Sequence, residues 1–285
     1  MANVNFIWYL VAILGVSITS SVGIFIRKIS KEFDYLIVFT RFSVGLLCLI
    51  IWFTLNGQIA ELKAVEVSWP LILSGVILTI LINSYVKAIR IESLASASFL
   101  LYLGPLIAAV MAPIFTNDQL NFASVMLLVS AFIGALLIIN INLKEQRILD
   151  SGAVFGLISG LMYGIYILLN NKQIMGEVRG EYVAFYQFMV GSLIMIPFLF
   201  RLRNKPKLID IGWSVFIGLV HGFLGLTLQI SSFQHLNTIE YGTISYVEPL
   251  SAAILGLLIV KEKISKKQIV GCILVLVSGV LRVYL

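Results

Sequence analysis

One acidic residue, Glu248, lies well inside a long apolar segment, whereas the other acidic residues lie in or near the gaps between such segments. A charged side chain at membrane depth is costly and usually functional. The predicted role of Glu248 is to load and release a proton or to bind a cation. The alternative is a glutamate that only holds helices together through hydrogen bonds beside Pro249.

Two further side chains that carry or accept a proton, Arg41 and His221, also lie inside apolar segments. Arg41 is a candidate to bind a substrate carboxylate through two parallel hydrogen bonds, or to pair with Glu248 in an empty site. Its alternative is to extend along apolar surface to the membrane headgroups. His221 is a candidate to transfer protons or to bind a ligand, and its alternative is a histidine satisfied by a neighbouring carbonyl.

Four uncharged polar residues complete the candidate binding site. Gln187 and Gln229 are expected either to contact substrate or to join helices by hydrogen bonds. Tyr102 and Tyr246 each precede a proline by three residues. Their rings are candidates to line a cavity that holds a cation or an apolar group, with ordinary packing as the alternative.

Glycine and proline spacing predicts where helices approach closely and where they bend. Gly156, Gly160 and Gly164 recur every four residues, which places small residues along one helix face and permits close helix contact. We interpret them as structural, with a moving helix contact as a further role. Pro105 and Pro249 remove backbone hydrogen bonds and are expected to kink their helices and free carbonyl groups.

These residues must be positioned by membrane-spanning helices. The chain has 285 residues, of which 60% are hydrophobic and 12% charged, with a mean hydropathy of +1.02. A bilayer core of about 30 Å needs about 20 apolar residues per helix, so the sequence predicts an all-α integral membrane protein with ten transmembrane helices. The predicted spans are 6–26, 35–55, 69–89, 93–114, 122–140, 151–170, 181–200, 211–232, 240–260 and 268–285.

The distribution of basic residues predicts the orientation in the lipid bilayer. Outside the interiors of the spans, 15 Lys and Arg residues lie in or next to odd-numbered loops, and 4 lie in or next to even-numbered loops and tails. Cytoplasmic loops carry the excess of Lys and Arg, so a multi-pass protein of the cell membrane with both termini outside the cytoplasm is expected. The net charge of +6 is spread over short gaps rather than one basic face, which argues against nucleic-acid binding.

An internal repeat divides the chain into residues 1–142 and 143–285. A shift of 144 residues aligns the segment 102–109 with 246–253, with five identities in eight positions. A shift of 146 aligns 39–45 with 185–191 and places Arg41 on Gln187. Each half holds five predicted spans, so the second half would cross the membrane in the opposite direction. Inverted repeats of this kind are typical of secondary transporters, whose substrate sites lie between the halves.

These features resemble the EamA branch of the drug/metabolite transporter superfamily over nearly the whole chain. The resemblance rests on the ten short-looped spans, the Pro-Leu-x-Ala-Ala segments of the fourth and ninth spans, and the acidic residues after them, Asp118 and Glu262. Residues 246–250 and 261–263 match the family pattern, whereas the first half departs from it at Gly104 and Asp118. The resemblance implies a secondary transporter of small metabolites.

The sequence therefore predicts a proton-linked or facilitative transporter of a small polar or zwitterionic metabolite, such as an amino acid, by alternating access. The alternative is broad efflux of lipophilic cations. An intramembrane enzyme would need converging His, Asp or Glu residues. The whole chain has only two His, and all four Asp lie in loops. No catalytic residue, metal site or cofactor is predicted. The expected partners are a small-molecule substrate and lipid, and no oligomeric state is predicted.

Overall fold

A computed structural model describes residues 2–91, 94–116, 118, 121–139, 151–202, 204–255, 257 and 265–284. Every regular element in these ranges is a helix. The acidic residue Glu262, which contributes to the family resemblance, lies outside the described residues.

The helices of residues 1–142 follow one another with short connections. They are α1 (Ala2–Thr19), α2 (Val22–Ile26), a 3₁₀ turn (Lys31–Phe33), α3 (Asp34–Leu55), α4 (Ile59–Ala64), α5 (Trp69–Ile91), α6 (Leu94–Leu101), α7 (Gly104–Phe115) and α8 (Phe122–Ile139).

The helices of residues 143–285 include one π-helix. They are α9 (Ser151–Leu169), α10 (Lys172–Met175), α11 (Gly180–Leu199), α12 (Leu208–Ile217), the π-helix (Gly218–Leu226), α13 (Thr227–Phe233), α14 (Thr238–Ser245), α15 (Val247–Leu255) and α16 (Lys266–Tyr284).

Eight helical stretches of the described residues are long and apolar enough to cross a membrane. They are Phe6–Ile26, Lys31–Leu55, Trp69–Ile91, Ser96–Phe115, Phe122–Ile139, Ser151–Leu169, Gly180–Leu199 and Leu208–Phe233. They agree in place with the first eight predicted spans. The predicted ninth span corresponds to α14 and α15, and the tenth corresponds to α16. Neither is among the eight, so the expected number of ten is not reached within the described residues.

Two helices are broken just before the prolines singled out in the sequence. The helical pair α6 and α7 is interrupted at Tyr102, and the pair α14 and α15 is interrupted at Tyr246. Because proline has no N–H, the carbonyl four residues earlier loses its helical partner. The Tyr246 hydroxyl donates a hydrogen bond of 3.0 Å to the carbonyl of Tyr102. The two breaks lie three residues before Pro105 and Pro249, and the side chain at one break donates to the backbone at the other.

The glycine-rich face of α9 packs directly on α6 and α7. A Cβ atom at Gly160 would lie 2.1 Å from the Leu100 carbonyl oxygen, and one at Gly164 would lie 2.8 Å from the carbonyl oxygen of Gly104. At Gly156 the nearest atom would be a side-chain methyl of Leu100, at 2.5 Å. At these three glycines the helices approach so closely that a side chain of any size would meet α6 or α7.

The two halves of the chain pack against each other along most of their length. Helix α3 contacts α11 and the π-helix, α5 contacts α9 and α11, and α8 contacts α16. Helix α1 contacts the π-helix, α13 and α15. Large apolar side chains cover much of the outer surface, for example on α8, α12 and α16. The contact surface between the halves contains the polar residues described next.

Candidate functional site

A central cavity of about 50 Å³ lies between the two halves of the chain. Its lining residues come from both halves: Thr19, Val22, Arg41, Leu78, Leu81, Ile82, Tyr85, Leu101, Tyr163, Tyr166, Leu226, Gln229 and Glu248. A single water needs roughly 10–15 Å³ of such space. The cavity therefore has room for a few water molecules, but it is smaller than the 300–1,000 Å³ pockets that typically hold small-molecule ligands.

A larger side cavity of about 260 Å³ adjoins the central cavity. Its lining residues are Ser20, Tyr85, Ser98, Tyr102, Ile138, Ile139, Glu248, Pro249, Ala252, Ala253 and Gln268. Tyr85 and Glu248 line both cavities, so these two side chains stand where the cavities meet. The Tyr85 hydroxyl is 3.1 Å from the Ser98 hydroxyl, and this contact joins α5 to α6 beside Glu248.

Glu248 occupies the first turn of α15, directly after the break at Tyr246. Its carboxyl group lies near the Tyr102 side chain in the lining of the side cavity. The side chain is only partly buried because it borders the two cavities. Glu248 therefore faces space that water can fill, as a proton-binding or cation-binding group must.

Arg41 faces the same central cavity from α3. Its side chain is buried, with 6% of the residue surface exposed, and it does not extend to the membrane headgroups. The Nε atom has no hydrogen-bond partner in the described part of the chain. Arg41 and Glu248 also form no ion pair with each other there. The site thus brings one cation and one anion to a shared cavity and leaves them unpaired.

Tyrosine side chains form much of the polar wall around Glu248. Tyr163 and Tyr166 from α9 and Tyr85 from α5 line the central cavity, and Tyr102 lines the side cavity. The sequence analysis did not single out Tyr163 or Tyr166. The glycine spacing contained a usable signal, because Tyr163 follows Gly160 by three residues on the helix face that packs against the break in α6 and α7.

The two glutamines have their amide groups satisfied by protein. Gln187 accepts a hydrogen bond from the Tyr166 hydroxyl at 2.9 Å and donates to Ser74 at 2.8 Å and to Asn170 at 2.7 Å. It is fully buried and does not line either cavity. This geometry favours the helix-joining interpretation of Gln187.

Gln229 joins helices by hydrogen bonds and also lines the central cavity. Its amide donates to the Thr19 hydroxyl at 2.7 Å, and its carbonyl accepts from the Tyr241 hydroxyl at 2.9 Å. The residue also lines the central cavity. Gln229 therefore links α1, α13 and α14 at the edge of the candidate site.

His221 does not face the cavities, contrary to the sequence-based expectation. Its Nε2 atom lies 2.9 Å from the Ser21 hydroxyl, and its ring packs against Phe25 with centroids 5.7 Å apart. The residue belongs to the π-helix, whose wider turn shifts side chains from the faces that α-helical spacing predicts. His221 thus lies in packed protein beside α2, outside the lining of both cavities.

Tyr246 is also packed rather than exposed to a cavity. It is fully buried, its ring meets Tyr102 with centroids 6.1 Å apart, and its hydroxyl holds the broken end of α6. Of the two repeat-equivalent tyrosines, Tyr102 alone lines a cavity among those described above.

Comparison with known proteins identifies the family. The EamA-like transporter family matches residues 6–140 and again residues 150–284. An uncharacterised transporter of Archaeoglobus fulgidus is 24% identical over 70% of both chains. An S-adenosylmethionine uptake transporter of Rickettsia bellii is 18% identical over 97% of this chain and 92% of its own.

A solved crystal structure has the same fold. It superposes with a TM-score of 0.79 at 16% identity and covers 96% of each chain. This likeness concerns the fold alone. The two family matches cover nearly the whole sequence, and the apolar helices are long enough to cross a membrane several times. The chain therefore belongs to the EamA-like transporter family and is a multi-pass membrane protein.

Proposed function

We propose that the protein is a secondary transporter of a small zwitterionic metabolite, such as an amino acid, and that it works by alternating access. The observation that carries the proposal is the unpaired Arg41 and Glu248 at one cavity between the halves. A zwitterion supplies the missing partner of each: its carboxylate pairs with Arg41 and its ammonium group pairs with Glu248. A ligand of net charge would leave one of these two charged groups without a partner, which is costly away from bulk water.

Ten membrane spans in two inverted five-helix repeats, residues 1–142 and 143–285, form the framework of this proposal. The two matches to the family, at 6–140 and 150–284, support the division. The paired breaks at Tyr102 and Tyr246 support it as well, since discontinuous helices at corresponding places of two repeats mark the substrate sites of transporters. With the basic loops in the cytoplasm, both termini lie on the opposite side of the cell membrane.

The cavities suggest which side of the site is open. The side cavity reaches Gln268 at the start of α16 and Ile139 at the end of α8, the ends that the basic loops assign to the cytoplasm. On the other side, Phe233 packs on Tyr241 with ring centroids 4.0 Å apart and on Tyr166 at 5.7 Å. We infer that these three rings close the path to the exterior and that this conformation faces inward.

Glu248 is the group that we assign to proton coupling. It borders both the central cavity and the side cavity, so a proton can reach it from the side that is open. A neutral glutamic acid no longer attracts a substrate ammonium group. Proton binding at Glu248 would therefore compete with substrate binding and couple the two movements.

Transport by purified protein in liposomes tests the proposal. Uptake of labelled amino acids is measured one at a time, with and without a pH gradient. We expect transport of at least one amino acid, loss of its pH dependence in Glu248→Gln, and a KM raised about 10- to 100-fold in Arg41→Met, because a hydrogen bond to a charged group contributes about 1.5–3 kcal/mol.

The exposed residues Glu66 and Lys63 provide matched controls for the loss of charge. Glu66→Gln and Lys63→Met should transport as the wild type does. Unchanged rate and pH dependence in Glu248→Gln would contradict the assignment of this carboxylate to coupling.

Efflux of lipophilic cations is a second candidate function. The observation in its favour is the ring of tyrosines near Glu248, because aromatic faces and a carboxylate together attract organic cations. Resistance to cationic dyes in a host that lacks its own pumps would support efflux. Altered sensitivity to amino-acid analogues in the same host would support the zwitterion.

A further inference from the structure

The short helix α14 stands between the central cavity and the end of the molecule where α1 begins. It carries Tyr241, whose ring is fully buried and packs on Phe233 with centroids 4.0 Å apart. The Tyr241 hydroxyl donates a hydrogen bond of 2.9 Å to Gln229, which lines the central cavity. Helix α14 ends at the break at Tyr246, so no continuous helix joins it to α15.

A buried ion pair holds the first turn of α14. Arg282 Nη2 lies 3.6 Å from Glu240 Oε1, and the two side chains are only 7% and 16% exposed. The Arg282 guanidinium also donates a hydrogen bond to the Ser124 hydroxyl, so these contacts join α14 to α8 and α16. Removing one partner of a buried pair leaves the other charge uncompensated. Each charge therefore depends on the other while α14 stays in this position.

A second set of hydrogen bonds ties the start of α14 to the same end of the molecule. The Asp118 carboxylate, between α7 and α8, accepts from the backbone N–H of Thr238 at 3.1 Å and from Asn171 Nδ2 at 3.3 Å. Asn171, which follows α9, also donates to the Thr238 hydroxyl at 3.0 Å. Residues from both halves of the chain thus meet at the first turn of α14.

The first turn of α14 is also fixed by its own capping box. Asn237 Oδ1 accepts a hydrogen bond from the backbone N–H of Glu240, and Glu240 Oε2 accepts one from the backbone N–H of Asn237, both at 2.8 Å. One oxygen of Glu240 therefore caps the helix, and the other faces Arg282. Glutamine can complete the same capping box, so Glu240→Gln removes the ion pair and retains the cap.

We propose that α14 is the exterior gate of the transporter and that the Glu240–Arg282 ion pair holds it closed. The inference rests on the alternating access and the orientation proposed above. When α14 moves about the break at Tyr246, Tyr241 leaves Phe233 and the central cavity opens to the exterior. Glu240 and Arg282 then enter water, which solvates each charge without a partner. The pair stabilises the closed state only, so loss of either charge shifts the population towards the open state.

Labelling of a cysteine in the central cavity measures how often the gate opens. Cys48→Ser and Cys272→Ser remove the two native cysteines, and Leu78→Cys places one thiol in the cavity wall. A small membrane-impermeant thiol reagent is added without substrate, to intact cells for the exterior and to inside-out vesicles for the interior. Glu240→Gln and Arg282→Met should each raise the rate of exterior labelling about tenfold or more. The double variant should not exceed the larger single effect, because the second substitution removes no further interaction.

The Glu177→Gln variant is the matched control. Glu177 pairs with Lys172 at 3.1 Å, but the two side chains are 87% and 52% exposed, and an exposed pair contributes little. Exterior labelling should therefore keep its background rate in this variant. The Tm in detergent separates the gate from a purely structural role, because a pair that only stabilises the fold would lower the Tm without changing the labelling.

Labelling that rises from neither side in Glu240→Gln and Arg282→Met would overturn the proposal, and so would an equal rise in Glu177→Gln. A rise from the interior alone would support the gate and contradict the proposed orientation. Because Glu240→Gln retains the capping hydrogen bond, it provides the test if Arg282→Met does not fold.

The liposome assay keeps the two proposals apart, since the labelling needs no substrate. Transport of an amino acid with unchanged labelling would refute the gate and leave the transport proposal standing. Raised exterior labelling without transport of any amino acid would do the reverse.

Discussion

Replacing Gly160 by alanine should separate α9 from α6 and destabilise the protein. The new Cβ would lie 2.1 Å from the backbone carbonyl oxygen of Leu100, whereas carbon–oxygen contacts normally begin at about 3.3 Å. The helices must therefore move apart by about 1 Å, since a backbone atom cannot rotate away. We expect a cost near the upper end of the overpacking range, about 3 kcal/mol. The better helix propensity of alanine offsets about 1 kcal/mol, which leaves about 2 kcal/mol.

Thermal unfolding in detergent measures this effect. For a chain of this size, 1 kcal/mol corresponds to roughly 2–4 °C, so the Tm of Gly160→Ala should fall by about 4–8 °C. Gly156→Ala should cost less, because its Cβ meets the flexible end of the Leu100 side chain. Gly212→Ala is the matched control, since Gly212 is helical and has nothing within 4 Å; its Tm should rise. A Gly160→Ala variant as stable as the Gly212→Ala variant would refute the reasoning.

Three further predictions test other parts of the structure. Gln187→Leu removes an amide that forms three hydrogen bonds with buried partners. Because those partners then lack a hydrogen bond, the Tm should fall by at least about 4 °C. An unchanged Tm would show that these hydrogen bonds do not stabilise the protein. Tyr246→Phe leaves the carbonyl of Tyr102 without its hydroxyl donor, so we expect destabilisation by about 1 kcal/mol, visible as a Tm lower by roughly 2–4 °C. In the triple variant Trp52→Phe, Trp69→Phe and Trp213→Phe, Trp8 is the single tryptophan, and its ring stacks on His235. Protonated His235 quenches its emission, so emission should fall as the pH is lowered, with a midpoint below 6.5 because burial lowers the pKa of His235. A midpoint at or above 6.5 would show that burial does not lower this pKa.

Local sequence was sufficient to predict the helical membrane class. A long apolar run has few ways to satisfy its backbone in a bilayer other than a helix, so eight spans are found where apolar runs predict them. The breaks before Pro105 and Pro249 agree with the missing N–H of proline, but Pro113 and Pro197 lie inside unbroken helices, so the local sequence does not determine where a helix breaks. The glycine face of α9 follows from spacing alone, because only small side chains permit such close contact.

The number of ten spans and the internal repeat remain predictions from the sequence. The predicted ninth span is divided at Tyr246, and residues 256 and 258–264 lie outside the described part of the chain. The two matches to the family support the repeat. Sequence similarity between apolar helices is weak evidence by itself, because their residues come from a small set.

The sequence alone established that this chain is a bundle of membrane helices with few polar groups at depth, and that Glu248 is the acid among them. Only the tertiary structure decided which of those groups are free to bind. Gln187 forms hydrogen bonds with three residues outside its own helix. His221 lies in the π-helix and contacts Ser21 rather than the central cavity. Arg41 and Glu248 line the same cavity but form no ion pair. The reason is that the hydrogen-bond partners of a buried polar group come from helices distant in sequence, and the spacing of residues within one helix does not determine which helices pack against it.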